Sequence, residues 1–269
     1  MNLHEWHAEA LGSLLNKRST LPHALLISGA RGIGKLAFVR ALAQAMLCVS
    51  VGDGEPACGT CSACAWFDTA GHPDYRQVEP SAESLNTEAV ESEKTEKKEK
   101  KSIIISIDQI RALSELIALS SHQGGAKVIV IHPVEMMNVN AANALLKNLE
   151  EPPSRTYFLL VTHRPQQVLP TIKSRCRHVT LRAPSPSVAQ AWLKSQGVSE
   201  PALALAQAGG APLLALELDN PEHWRTRAAF LRELSAGDLQ PIAAAESLRD
   251  IPIPQAVSWL QKWSYDLVY

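Results

Sequence analysis

The chain has 269 residues, a net charge of −1 and 46% hydrophobic side chains, enough for the packed core of one large domain or two smaller ones. Its near-neutral balance excludes a chain that holds DNA by bulk electrostatics, which needs clustered Lys and Arg. It has no run of 18 apolar residues, and Met1–Ala10 lacks the basic start and apolar stretch of a signal peptide, so we expect a cytoplasmic protein without a membrane span.

Taken in chain order, Leu3–Lys17 reads as a helix. Ala24–Ser28 is a short apolar run before glycines, hence a buried strand. Leu36–Leu47 has apolar residues at helical spacing, and a cysteine-rich loop runs from Cys48 to Cys64. Tyr75–Val78 is a candidate second strand. Residues 80–101 end in a tract of Glu and Lys with no apolar residue, which reads as a disordered or loosely helical, solvated insertion.

Beyond the insertion, Ile107–Ser121 reads as a helix with Asp108 at its positive end. Lys127–Ile131 is a buried strand, and Val139–Leu149 a helix stopped by Pro152 and Pro153. Tyr157–Thr162 and His178–Leu181 are further strands. Strands alternating with helices predict a parallel α/β sheet covered on both faces over residues 1–183. From Pro184 the pattern is helical only, at Val188–Gln196, Pro201–Ala208, Leu213–Leu218 and His223–Leu234, which predicts a small helical domain over residues 184–248. Residues 249–269 begin another helical domain. The apolar face of Trp259, Leu260, Trp263 and Leu267 has nothing after it to pack on, so a truncated domain is expected there.

Gly29, Gly32, Gly34 and Lys35 follow a strand and open a helix. Gly29 to Lys35 fits G-x-x-x-x-G-K, the loop whose amides and lysine cradle phosphates. The next position should carry a hydroxyl for magnesium and carries Leu36 instead. The end of strand Lys127–Ile131 should supply an Asp for the metal and a Glu for the attacking water, and the chain reads His132-Pro133. Two defects in one site predict no turnover and no bound Mg2+. Weak nucleotide binding and no binding at all both stay open.

Cys48, Cys58, Cys61 and Cys64 form C-x9-C-x2-C-x2-C. Four thiolates close a tetrahedral site, so a structural Zn2+ is expected, with reduced free thiols as the alternative. Cys176 reads as a buried free thiol. Arg175 lies in the basic stretch Thr171–Arg177. It reads either as part of a turn or as an arginine reaching a neighbouring subunit's phosphates.

The segments Asn143–Pro153 (NALLKNLEEPP) and Ser174-Arg175-Cys176, with the phosphate loop and four cysteines, closely resemble the clamp-loader branch of the AAA+ ATPases. The match covers about Leu3–Leu218. Motor subunits of that branch carry Ser or Thr after the loop lysine, Asp-Glu after the second strand, and an arginine in the helical lid. Here those positions hold Leu36, His132-Pro133 and Gly210–Leu213. The resemblance therefore implies a non-hydrolysing subunit of the DNA polymerase III holoenzyme, with a sheet domain, a helical lid and a collar. It implies Zn2+ on the four cysteines, and Arg175 completing the ATP site of an adjacent motor subunit. Expected partners are the motor (gamma and tau) and delta subunits in a hetero-oligomer, and through it the sliding clamp and primed DNA. The rival readings are an autonomous AAA+ ATPase with unusual metal ligands and a zinc-bearing nucleic-acid module. The second is opposed by the lack of any basic residue between Cys48 and Cys64.

Overall fold

The strands form where β-branched and leucine-rich runs are bounded by residues that stop them. In the computed structural model, residues 3–80, 104–118, 125–235, 241–246, 248–249 and 251–268 are described. The Glu-Lys tract lies outside them, as do residues 119–121 of the predicted helix Ile107–Ser121. The chain divides into two units, residues 1–188 and 189–269.

In the first unit, β1 (Ala24–Ser28), β2 (Tyr75–Val78), β3 (Lys127–Ile131), β4 (Thr156–Thr162) and β5 (Arg177–Thr180) make one sheet. Their order is β2-β3-β4-β1-β5 and every pairing is parallel. Parallel neighbours need crossover connections, which place helices on the sheet faces. Alternate residues of each inner strand point to opposite faces. Leu26, Ile129, Ile131, Phe158 and Leu160 pack with α4 (Ile107–Ala118) and α5 (Val139–Glu150) through Ile110, Leu113, Leu145 and Leu149. Their neighbours Leu25, Ile27, Val128, Val130, Leu159 and Val161 are equally buried. Here α2 (Lys35–Leu47) lies against β1, β3 and β4, and α1 (Ala8–Leu15) against α2. Each such side chain contributes about 1.5–3 kcal/mol by leaving water. This is the parallel α/β sheet covered by helices that the alternation of strands and helices predicts.

Local signals explain the element ends. Asn138 Oδ1 accepts the Ala141 amide at 2.7 Å and caps α5. Prolines 152 and 153 follow the end of that helix. The N-terminal segment is less regular than its pattern suggests. A 3-10 turn at Glu5–His7 precedes α1, and a second at Arg18–Thr20 follows it. Likewise, the predicted cysteine loop ends in a short helix, α3 (Ser62–Asp68), that holds Cys64.

The second unit is helical: most of α7 (Pro186–Ser195), then α8 (Pro201–Gln207), α9 (Pro212–Leu218), α10 (Pro221–Ser235), α11 (Pro241–Glu246) and α12 (Ile253–Val268). Ala189, Leu193, Leu205 and Ala215 form one apolar cluster, and Phe230, Ala244 and Trp259 another. Among the described residues, no single helix is long and apolar enough to cross a membrane.

Candidate functional site: a closed phosphate loop and a four-thiol cluster

The phosphate loop sits between the end of β1 and the start of α2, at the C-terminal edge of the sheet where parallel α/β proteins place their ligands. Glycines are required by contact here. A Cβ on Gly29 would stand 2.5 Å from the Leu181 carbonyl oxygen. Gly34 has φ +93°, and a Cβ there would meet the His4 ring at 2.5 Å.

The loop is closed on itself. The Lys35 ammonium, buried, donates to the carbonyls of Gly29 at 2.8 Å and Ala30 at 2.6 Å. Burial pulls its pKa down to about 8, against the opposing pull of Glu135. From outside, the N-terminal segment adds a second layer. Trp6 Nε1 donates to the Ile33 carbonyl at 3.0 Å, and His7 Nε2 lies 2.8 Å from the same oxygen. His4 stacks on Trp6 with ring centres 4.4 Å apart.

Opposite the loop, the strand ends hold imidazoles. His132 follows β3 and His163 follows β4, edge to face at 5.1 Å. Glu79, after β2, places Oε1 3.5 Å from His132 Nδ1. Burial raises the Glu79 carboxyl, but His132 and Gln77 outweigh it and hold it below the ordinary value. The His163 pKa is lowered to about 3, first by burial and then by the charges of Lys35, His132, Arg31 and Arg164, so the ring is neutral at pH 7. Glu135 is tied to the turn after β4: its Oε1 accepts the backbone amides of His163 at 2.9 Å and Arg164 at 3.2 Å. With Leu36 apolar, these residues do not fit a magnesium-bound nucleotide.

At the other end of α2 the four predicted cysteines do come together. Cys48 follows the helix, Cys58 lies in the loop, Cys61 precedes α3 and Cys64 lies in its first turn. Their sulfurs all lie within 4.8 Å of one another, with 3.5 Å from Cys48 to Cys58, 3.7 Å from Cys48 to Cys61 and 4.0 Å from Cys58 to Cys64. A zinc ion with sulfurs at about 2.3 Å in a tetrahedron requires edges of roughly 3.8 Å. The spacing fits, and these thiols could hold a metal ion. The Thr60 amide and hydroxyl and the Cys61 amide aim at the Cys58 sulfur and lower its pKa to about 5. Arg18 ties the loop down through the carbonyls of Met46, Cys48 and Val51. Among the described residues, this is the one cluster of metal-ligating side chains. Cys176 is half-buried, and burial raises its thiol to about 12.

Arg175 lies between the short helix α6 (Pro170–Lys173) and β5, away from both clusters in sequence. Its guanidinium donates to the Thr171 carbonyl at 2.9 Å and pairs with Glu150, the last residue of α5. The roles of His163 and His4 are not read from the sequence, and Glu135, two positions beyond His132-Pro133, is expected there only to point away from the catalytic role. His163 directly follows a strand end, which was an available signal. His4 acts through a contact 30 residues distant, which periodicity does not carry.

Known proteins show the family of this chain. A family model described as DNA polymerase III, delta subunit, matches residues 7–185. The DNA polymerase III subunit delta' of Pseudomonas aeruginosa is 36% identical over 99% of this chain and 77% of its own length. The same subunit of Haemophilus influenzae is 37% identical over 78% of this chain and 59% of its own length. For Escherichia coli the figures are 33%, 88% and 67%. The chain thus spans from 59% to 77% of these relatives. A gamma subunit-related DNA polymerase III protein of Thermotoga maritima is 18% identical, with a TM-score of 0.46 over 94% of this chain and 77% of that one. With a matching family model and relatives this similar, the chain belongs to the delta-prime subunit family of DNA polymerase III.

Proposed function

We propose that this chain is a non-hydrolysing clamp-loader subunit, which takes part in placing the sliding clamp on primed DNA without turning over ATP itself. The observation that carries this reading is the lack of magnesium ligands around the phosphate loop, whose Lys35 donates to Gly29 and Ala30 of the loop itself. Leu36 offers magnesium no oxygen, and His132 and Pro133 replace the metal-binding and water-orienting acids. Each such lost contact removes several kcal/mol of transition-state stabilisation, on the order of 3 kcal/mol for one electrostatic donor.

Arg175 is then the residue through which this chain serves another. We assign it the trans role: its guanidinium reaches the phosphates of a neighbouring motor subunit and stabilises charge on the transferring phosphoryl group. The four thiols hold a structural zinc, because the set leaves no open coordination position for a reacting water. The partners are the gamma and tau motor subunits and the delta subunit, in the cytoplasm. The helical unit corresponds to a lid over residues 184–248 and the start of a collar over 249–269.

The test is DNA-stimulated ATP hydrolysis by a loader reconstituted with this subunit. Arg175→Ala is expected to cut turnover at the neighbouring site by about 10³-fold or more, partly masked by the other sites. Lys35→Ala is expected to leave turnover unchanged. An unchanged rate with Arg175→Ala, or a large loss with Lys35→Ala, contradicts the assignment.

A further inference from the structure

Arg175 does not extend freely into solvent. One terminal nitrogen donates to the Thr171 carbonyl at 2.9 Å and sits 3.4 Å from Ser174 Oγ, and the other pairs with the Glu150 carboxylate. Both terminal nitrogens are therefore occupied by groups of its own chain. The pair is accessible: the Arg175 side chain is 34% exposed and that of Glu150 50%. At that exposure an ion pair contributes little to folding, so stability alone does not account for it.

Glu150 is poorly placed for a carboxylate. It ends α5 and is followed by Glu151, so two negative charges stand at the negative end of the helix dipole. The nearest basic residue of that last turn is Lys147. A cation from elsewhere is favoured at this point, and Arg175 supplies it. The guanidinium fork binds carboxylate and phosphate with the same geometry. A phosphate group of higher charge is a direct competitor for the same donors.

We propose that Glu150 is a positioning residue that stores Arg175 against its own subunit, and that phosphates on a docked neighbour release it by competing for the guanidinium. This rests on the trans role proposed for Arg175. The stored state discounts the affinity of Arg175 for its target by the fraction of time the arginine is paired. Removing the carboxylate charge while keeping its shape lifts that discount.

The experiment is a double-mutant cycle in a loader reconstituted from its subunits, with wild-type, Glu150→Gln, Arg175→Ala and doubly substituted forms of this chain. The rate of DNA-stimulated ATP hydrolysis is followed against the concentration of this subunit, and thermal melting of each variant checks folding. Glu150→Gln is expected to lower the half-saturating concentration about threefold at unchanged maximal rate, as befits the release of one exposed ion pair. In the Arg175→Ala background the shift should vanish. A fall in maximal rate would mean that Glu150 aims the arginine instead of storing it, and overturns the proposal. So does an unchanged half-saturation, or a shift that persists without Arg175. If Arg175→Ala alone changes nothing, the trans reading itself fails. If Arg175→Ala lowers the rate while Glu150→Gln is silent, the trans reading stands and only the storage role falls.

Discussion

Helix α2 starts at Lys35, inside the phosphate loop, and ends at Leu47, beside the first of the four thiols. Both ends gather polar groups around a small space, and they differ in where those groups point. At the start, the lysine and the loop carbonyls face each other, and Trp6 and His7 meet the Ile33 carbonyl from outside. At the end, four sulfurs lie within 4.8 Å of one another. A motif marks which residues are near each other.

The largest effect that sharpens this contrast is at the thiol end. Cys48→Ser or Cys64→Ser, or exposure to a strong chelator, should destabilise the first unit by at least about 3 kcal/mol, because the zinc proposed for these thiols would add its binding free energy to folding. Metal content per chain and the denaturant midpoint check it together. A variant that loses the metal at unchanged stability would place the cluster on the surface as an accessory.

At the phosphate end, His163 gives a smaller, pH-dependent effect. An unfolded imidazole takes its proton near pH 6.5, whereas the half-buried one does so only at about 3. The unfolded state therefore binds more protons between those values, and stability is lost as pH falls through that window. His163→Asn should flatten the loss by about 2 kcal/mol between pH 7 and 4.5, after allowing for solvent screening of a partly exposed ring. Denaturant unfolding at the two pH values measures the difference from wild type, and equal slopes would contradict the buried neutral ring.

The smallest effect concerns the outer layer. Gly34→Ala places a Cβ against the His4 ring at a backbone angle that L-residues avoid. It should cost about 1–2 kcal/mol and loosen the N-terminal segment, seen as faster amide exchange at the Glu5–His7 turn. Unchanged exchange would separate that segment from the loop.

Much of this was legible in the amino-acid order. Strands β1 and β3 stand where the apolar runs predict them, because an inner parallel strand is buried on both faces and reads as a continuous run, whereas the edge strand β2 carries no such run. The cysteine spacing was equally readable, since all four ligands lie within 17 residues. The closure of the phosphate loop was legible only in part. Leu36 and His132 mark the missing ligands locally. The stacking of His4 over Gly34 and the pairing of Glu150 with Arg175 depend on contacts between distant segments, which no local pattern encodes. The helix predicted over Leu3–Lys17 broke up for a related reason: Trp6 and His7 bond to Ile33, and that geometry is met by a 3-10 turn.

The most direct test of the central claim is ATP hydrolysis by the isolated protein with magnesium present, compared with its Lys35→Ala variant. A closed, metal-incompetent loop predicts no turnover above the level of the variant. Magnesium-dependent turnover that Lys35→Ala abolishes would contradict it and make this chain a motor in its own right.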